Sequence, residues 1–182
     1  MTLQIETPRL FVKSHMLANL EKFHQYENDQ ELLYYDDDGP DDREPETIEK
    51  TNDYLKRIIE NPLDSNKIYY AIHKNEPDTF IGYGMIYFLN RHNRSCMLGI
   101  VIGEKSEWGK GYAREALTAI VTYCFNTLEV NRIGAGVYEF NERSIRLFER
   151  VGFKREGVTR QSILRRGQFY DEIQYGLLKS EW

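Results

Sequence analysis

Apolar residues recur with two different periods along this chain, and the period changes near Lys67. Before that point the spacing is mostly helical. Arg9 to Lys13 (RLFVK) reads as a short strand after Pro8, and His15 to Tyr26 places Leu17, Leu20 and Phe23 at helical intervals. A second helix is predicted over Glu46 to Ile59, where Ile48, Tyr54, Leu55, Ile58 and Ile59 share a face. Asn61-Pro62 ends it, because proline disfavours helix in the residue before it. Tyr34 to Glu46 (YYDDDGPDDREPE) has no period and centres on Gly39-Pro40, which predicts a loop.

After Lys67, KIYYAIH, TFIGYGMIYFL and SCMLGIVIG are rich in β-branched and aromatic residues and are separated by turn-forming NEPD and NRHNR. They predict three consecutive antiparallel strands. A helix follows over Gly109 to Phe125, with Ala116, Leu117, Ile120, Val121 and Cys124 inward, and then a strand over Arg132 to Phe140. Asn141 is placed to cap a helix running through Arg150, and Gly152 to end it. The tail predicts a hairpin turning at Arg166-Gly167. Strand, two helices, three strands, helix, strand, helix and closing strands make a mixed α/β (α+β) fold. No internal repeat or linker divides the chain, so residues 1–182 form one domain.

At 182 residues the chain can fill one core. Hydrophobic residues at 41% and charged residues at 29% are an ordinary globular balance. A net charge of −5 argues against nucleic acid as a partner, since phosphate backbones call for a positive face. The opening MTLQIETPRLFVKSH lacks a signal-peptide core and no later stretch is long enough to span a bilayer, so a cytoplasmic, membrane-free protein is expected. Cys96 and Cys124 fit no metal-ligand spacing; two buried, reduced thiols and no metal are expected. The sequence leaves open whether the chain pairs as a homodimer.

The most informative stretch is SEWGKGYAREAL, Ser106 to Leu117, between the apolar run Leu98 to Ile102 and a helix. A helix leaves its first N–H groups without partners and carries partial positive charge there. Glycines just before it let the backbone wrap a phosphate or diphosphate closely, and Lys110 would add charge. The P-loop pattern is absent. The dinucleotide fingerprint fails because Arg114 occupies its third glycine position.

Further segments give the turn a context. ETPRL at 6–10, LGIVIGEKSEWGKGYAREAL at 98–117, NRIGAGVYEFNERSIRLFERVGFKREG at 131–157 and GQFYDEIQYGLLKSEW at 167–182 resemble, in order, the GCN5-related N-acetyltransferase (GNAT) superfamily, in particular its RimJ/RimL-like branch. The resemblance implies a domain with an acceptor side over about residues 1–95 and an acetyl-CoA side over about 96–182. The pantetheine arm of acetyl-CoA would lie along Ile100, Val101 and Ile102, in a gap against the strand at 132–138. Backbone N–H groups from Trp108 through Gly109, Lys110, Gly111 and Tyr112 to Ala113 would take the diphosphate. Asn141 and Ser144 would meet the pantetheine, with Phe148 beside it; Asn141 could equally serve only as a cap. Arg143, Arg146 and Arg150 share one side of a helix and are either a reach toward the adenosine 3′-phosphate or a solvated face.

Transfer of an acetyl group to an amine requires the amine, with a pKa near ~10, to lose its proton first. Backbone N–H near Ile100 could stabilise the developing oxyanion. Two proton handlers common among such proteins are absent: Met97 stands where many have glutamate, and Phe148 where many have tyrosine. No catalytic base is therefore assigned; a carboxylate of the acceptor side acting through water is expected, with Tyr83, Tyr87 and Tyr138 as substitutes or as plain packing. Asp36, Asp37, Asp38, Asp41, Asp42, Glu44 and Glu46 would attract a cationic acceptor such as a polyamine, an amino sugar or a protein N-terminus, unless they form only a solvated loop. The reading is an acetyl-CoA-dependent N-acetyltransferase; the alternative is a non-catalytic acyl-CoA-binding or regulatory protein on the same fold.

Overall fold

The computed structural model describes residues 3–36, 39–40, 43–64 and 66–182. Along the chain run β1 (Gln4–Glu6), β2 (Leu10–Lys13), α1 (Leu20–Glu27), α2 (Gln30–Asp36), α3 (Ile48–Glu60), β3 (Leu63–Asp64), β4 (Lys67–Lys74), β5 (Thr79–Asn90) and β6 (Ser95–Ile102). Then come α4 (Tyr112–Asn126), β7 (Arg132–Tyr138), α5 (Glu142–Val151), β8 (Lys154–Arg165) and β9 (Gln168–Leu178). The strands form one mixed sheet in the order β1-β2-β4-β5-β6-β7-β9-β8, with β3 paired on β4. Its ladders are antiparallel except that between β6 and β7. No helix among the described residues is long and apolar enough to cross a membrane.

Two apolar clusters explain the layering. The larger packs α4, through Ala116, Leu117, Ile120, Val121 and Cys124, against Leu10, Ile72, Ile81, Ile86 and Leu98 of the sheet. Phe148 and Val151 of α5 belong to it. The smaller joins Phe23 and Tyr26 of α1 and Leu55 of α3 to Ala71 and Phe80. The helices thus cover two faces: α4 and α5 one, α1 to α3 the other. Cys96 and Cys124 are both buried, unlinked thiols in the larger cluster.

Several boundaries differ from the sequence reading. The first helix begins only at Leu20, after a single 3₁₀ turn over Leu17–Asn19. A further helix, α2, extends through Tyr34 and Tyr35, which the sequence reading placed in a loop. Asp29 caps it: its Oδ1 accepts from the N–H groups of Glu31 and Leu32 at 2.9 and 3.2 Å. Asp37, Asp38, Asp41 and Asp42 lie outside the described residues. The helix expected from Gly109 starts three residues later, because Gly109 and Gly111 adopt φ of +77° and +85°. The hairpin turns at Arg166-Gly167 as expected, with φ of +49° and +76° there.

Candidate active site

The sheet opens in the middle. β6 and β7 pair through Ser95 and Arg132, Cys96 and Ile133, and Met97 and Gly134, and no further. Beyond Met97 the strands part, and the backbones of 98–102 and 135–138 form the sides of a wedge. A cleft of about 1170 Å³ runs through it.

All twelve residues expected to meet the co-substrate line this one cleft: Ile100, Val101, Ile102, Trp108, Gly109, Lys110, Gly111, Tyr112, Ala113, Asn141, Ser144 and Phe148. No side chain caps α4 at Gly111. The space a Cβ would take at Gly109 is empty to 4 Å. An uncapped helix mouth with open space before it suits a phosphate group.

Around the turn the side chains are arranged differently from expectation. Lys110 Nζ donates to Glu107 Oε2 at 2.8 Å, and Lys74 Nζ to Glu107 Oε1 at 2.8 Å. Glu107 thus holds two ammonium groups beside the turn, and those bonds hold its carboxyl below the usual range. The Lys110 ammonium is engaged by this carboxylate rather than directed alone at the helix mouth. Trp108 Nε1 donates to the Ile102 carbonyl at 2.6 Å, fixing the turn against the end of β6. Arg143 of α5 lies over the Trp108 ring, 4.4 Å from its centroid, and so reaches across the wedge. Arg146 donates to Glu142 at 2.8 Å and, with Arg150, borders the cleft. Asn141 caps α5, its Oδ1 accepting from Ser144 N–H at 3.1 Å, while its Nδ2 donates to the Tyr35 carbonyl at 3.4 Å.

Strand register determines what faces the other end. Residues directly opposite one another on neighbouring strands share a face. Tyr83 contacts Phe23 of α1, with ring centroids 5.0 Å apart, so it marks the α1 to α3 face. Alternation and pairing then put Tyr87, Met97 and Gly134 on that face, and Gly136, Tyr138 and Glu172 with them. Tyr83 Oη donates to Glu27 Oε1 at 2.5 Å. Tyr54 and Tyr69 stand nearby, their centroids 6.5 Å apart, and burial with the Tyr69 and Glu27 charges raises the Tyr54 pKa. Glu27, Tyr35, Tyr54, Tyr69, Tyr83, Tyr87 and Tyr138 all line the cleft. His15 borders it too; burial, aided by His73, pulls its pKa down to about 4, so its ring is neutral near pH 7.

Sequence reasoning gave no role to Glu27, His15, Tyr54, Tyr69 or Glu172. Only Glu172 left a usable signal. In FYDEIQY, Glu172 and Gln174 alternate with the apolar Ile173 and Tyr175, which marks a strand with one polar face.

Comparison with known proteins matches the family model of the acetyltransferase (GNAT) domain over residues 9–154. An N-acetyltransferase of Bacillus subtilis (strain 168), YoaA, named as uncharacterized, is 30% identical over 176 residues, covering 96% of each chain. The [ribosomal protein uS5]-alanine N-acetyltransferase of Escherichia coli (strain K12) is 39% identical over 88 residues, 48% of this chain and 45% of that one. Among solved structures, the spermidine N-acetyltransferase of Vibrio cholerae in complex with CoA and spermine superposes with a TM-score of 0.82 at 22% identity, over 96% of this chain and 98% of that one.

Proposed function

The chain belongs to the GNAT acetyltransferase family, in its RimJ/RimL-like branch, and is an N-acetyltransferase; from that premise we propose that it moves an acetyl group from acetyl-CoA to a primary amine by direct attack on the thioester. The observation that carries this reading is the early parting of β6 and β7 beside an uncapped helix mouth. Backbone N–H groups around Gly109 to Ala113 would hold the diphosphate, and the free edges of 98–102 and 135–138 the pantetheine. Acetyl-CoA, when bound, supplies an acyl carbon on a thiolate leaving group.

The rest is the work of this chain's own residues. Backbone N–H near Ile100 polarises the acyl oxygen. Glu27 and the rings of Tyr54, Tyr69 and Tyr83 attract the acceptor as an ammonium, the carboxylate by charge and the rings by their negative faces. That site would concentrate the amine next to the wedge, where it must lose a proton before attack.

Named acceptors among the similar proteins are a ribosomal-protein alanine and spermidine, both offering primary amines. A polyamine, an amino sugar and a protein N-terminus therefore stay within the proposed class. The test is thiol release from acetyl-CoA with a panel of polyamines, amino sugars and peptides. Turnover on at least one amine is expected; tight acetyl-CoA binding with no turnover on any would instead favour the non-catalytic alternative.

A further inference from the structure

Resting on the acetyl-transfer reading above, we propose that Glu172 of β9 is the group that takes the proton from the attacking amine. Three carboxylates line the cleft among the described residues: Glu27, Glu107 and Glu172. Glu107 is occupied by two lysines at the helix mouth. Glu27, on α1, accepts the Tyr83 hydroxyl. Glu172 is the one that lies against the backbone of β7, a strand bordering the wedge.

Its position follows from backbone geometry. The β6–β7 seam ends at Met97 and Gly134, neither of which titrates. Two residues further along β7 is Gly136, on the same face. A Cβ there would lie 2.3 Å from Glu172 Oε1 and 2.9 Å from its Cδ. Only the missing side chain lets the carboxylate lie against the β7 backbone, just where the wedge opens. Gln174 fixes it there: Gln174 Nε2 donates to Glu172 Oε2 at 2.7 Å and to Thr159 Oγ1 at 3.1 Å. One oxygen is thereby held, and the other stands over Gly136. A carboxylate missing at position 97 is replaced by one reaching in from β9.

The groups facing it are Tyr138 of β7, Thr159 of β8, Gln174 of its own strand, and Met97 and Tyr87 across the wedge. Arg165 of β8 shares that face and lies over the Tyr138 ring, 5.6 Å from its centroid. The chemistry balances without any further reactant. The ammonium first gives one proton to Glu172, which passes it to water; as the neutral amine nitrogen then bonds to the acyl carbon, its second proton passes to Glu172, directly or through one water. The carbon–sulfur bond breaks, its electron pair leaves on sulfur, and the thiolate takes a proton from solvent. Glu172 then releases its proton to water.

Glu172→Gln is isosteric and cannot accept the proton. With the amine of the panel that turns over fastest, spermidine first, kcat is expected to fall about 100-fold, with KM changed less than threefold. The acidic limb of kcat/KM should flatten. CoA affinity by calorimetry should stay within twofold of the parent protein. Gly136→Ala, which displaces the carboxylate, should lower kcat alike, and Glu172→Asp should retain more activity than Glu172→Gln. In CoA-bound protein, the side-chain ¹³C carboxyl resonance missing from Glu172→Gln should move when spermidine is added. Parental kcat and pH profile in Glu172→Gln would overturn the proposal, as would loss of CoA affinity, which would make the role structural. Failure of the parent protein to acetylate any amine would sink the earlier reading instead.

Discussion

Arg9 and Glu115, far apart in sequence, meet at the base of the helix mouth: Arg9 Nε donates to Glu115 Oε2 at 2.6 Å, and Arg9 N–H to Oε1 at 2.9 Å. Thr7 Oγ1 adds a third bond to Glu115 at 2.7 Å. The same guanidinium reaches the Lys110 carbonyl at 3.0 Å and covers the Tyr112 ring at 4.5 Å. One arginine thus ties the first strands to the turn that would hold the diphosphate.

This contact makes stability depend on pH in a stated direction. Burial would raise the Glu115 pKa, but hydrogen bonds from Thr7 and Arg9 outweigh it and hold it below the ordinary value. A depressed carboxyl pKa contributes stability above the ordinary value, about 4.3, and loses it as pH falls through the native value. Glu115→Gln should therefore cost about 1–2 kcal/mol at pH 7 and lose less than the parent protein on acidification. Urea unfolding at pH 7, 5 and 3.5 checks it; parallel losses in both proteins would count against this account.

Gly111→Val places a β-branched residue at φ of +85°, a conformation costing it on the order of 1–3 kcal/mol. Its Cβ would also stand 3.5 Å from Arg9 Nη2. We expect CoA affinity to be abolished, below detection by calorimetry, while circular dichroism still reports the parental fold. Unchanged affinity would remove the helix mouth from the binding site.

Gly103 follows β6, and Tyr26 packs on it so closely that a Cβ would lie 2.3 Å from the ring. The contact is with ring carbons near the base of the side chain, which cannot swing away cheaply. Gly103→Ala should destabilise by roughly 1–3 kcal/mol, read as a lower urea midpoint at unchanged slope.

On the acceptor side, Glu27→Gln keeps the Tyr83 contact but removes the charge. Its main effect should be on binding: KM for the amine rises about tenfold, kcat changes little, and KM for acetyl-CoA is unaltered. A fall in kcat with constant KM would move the proton-taking role to α1.

What was legible in the sequence was what depends on neighbours along the chain. Strands β4, β5 and β6 follow from β-branched and aromatic runs between turn-forming segments, the closing hairpin from its Arg166-Gly167 turn, and the caps at Asn141 and Gly152 from local hydrogen bonding and φ. Helix α2 was missed because its apolar stretch is short and runs into the acidic segment, although Asp29 offered a cap. The α4 boundary was set too early because a helical period cannot reveal positive φ at Gly109 and Gly111. The turn was legible as an open helix mouth because its glycines and helix are contiguous. For Glu172 the alternation in FYDEIQY marks only a polar strand face; its place depends on Gly136 of another strand, and that contact belongs to the folded sheet.

The short seam at 95–97 and 132–134 has a consequence for the protein in solution. Residues 98–102 pair with β5 on one side, and those of their amides that point the other way have no ladder partner on β7, so deuterium should enter these quickly in the free protein and slowly once CoA is bound. The co-substrate would then serve as an added stretch of sheet. At a hundredfold excess over its Kd it would add about 2.7 kcal/mol, so the supply of CoA would govern how well the protein resists unfolding and proteolysis.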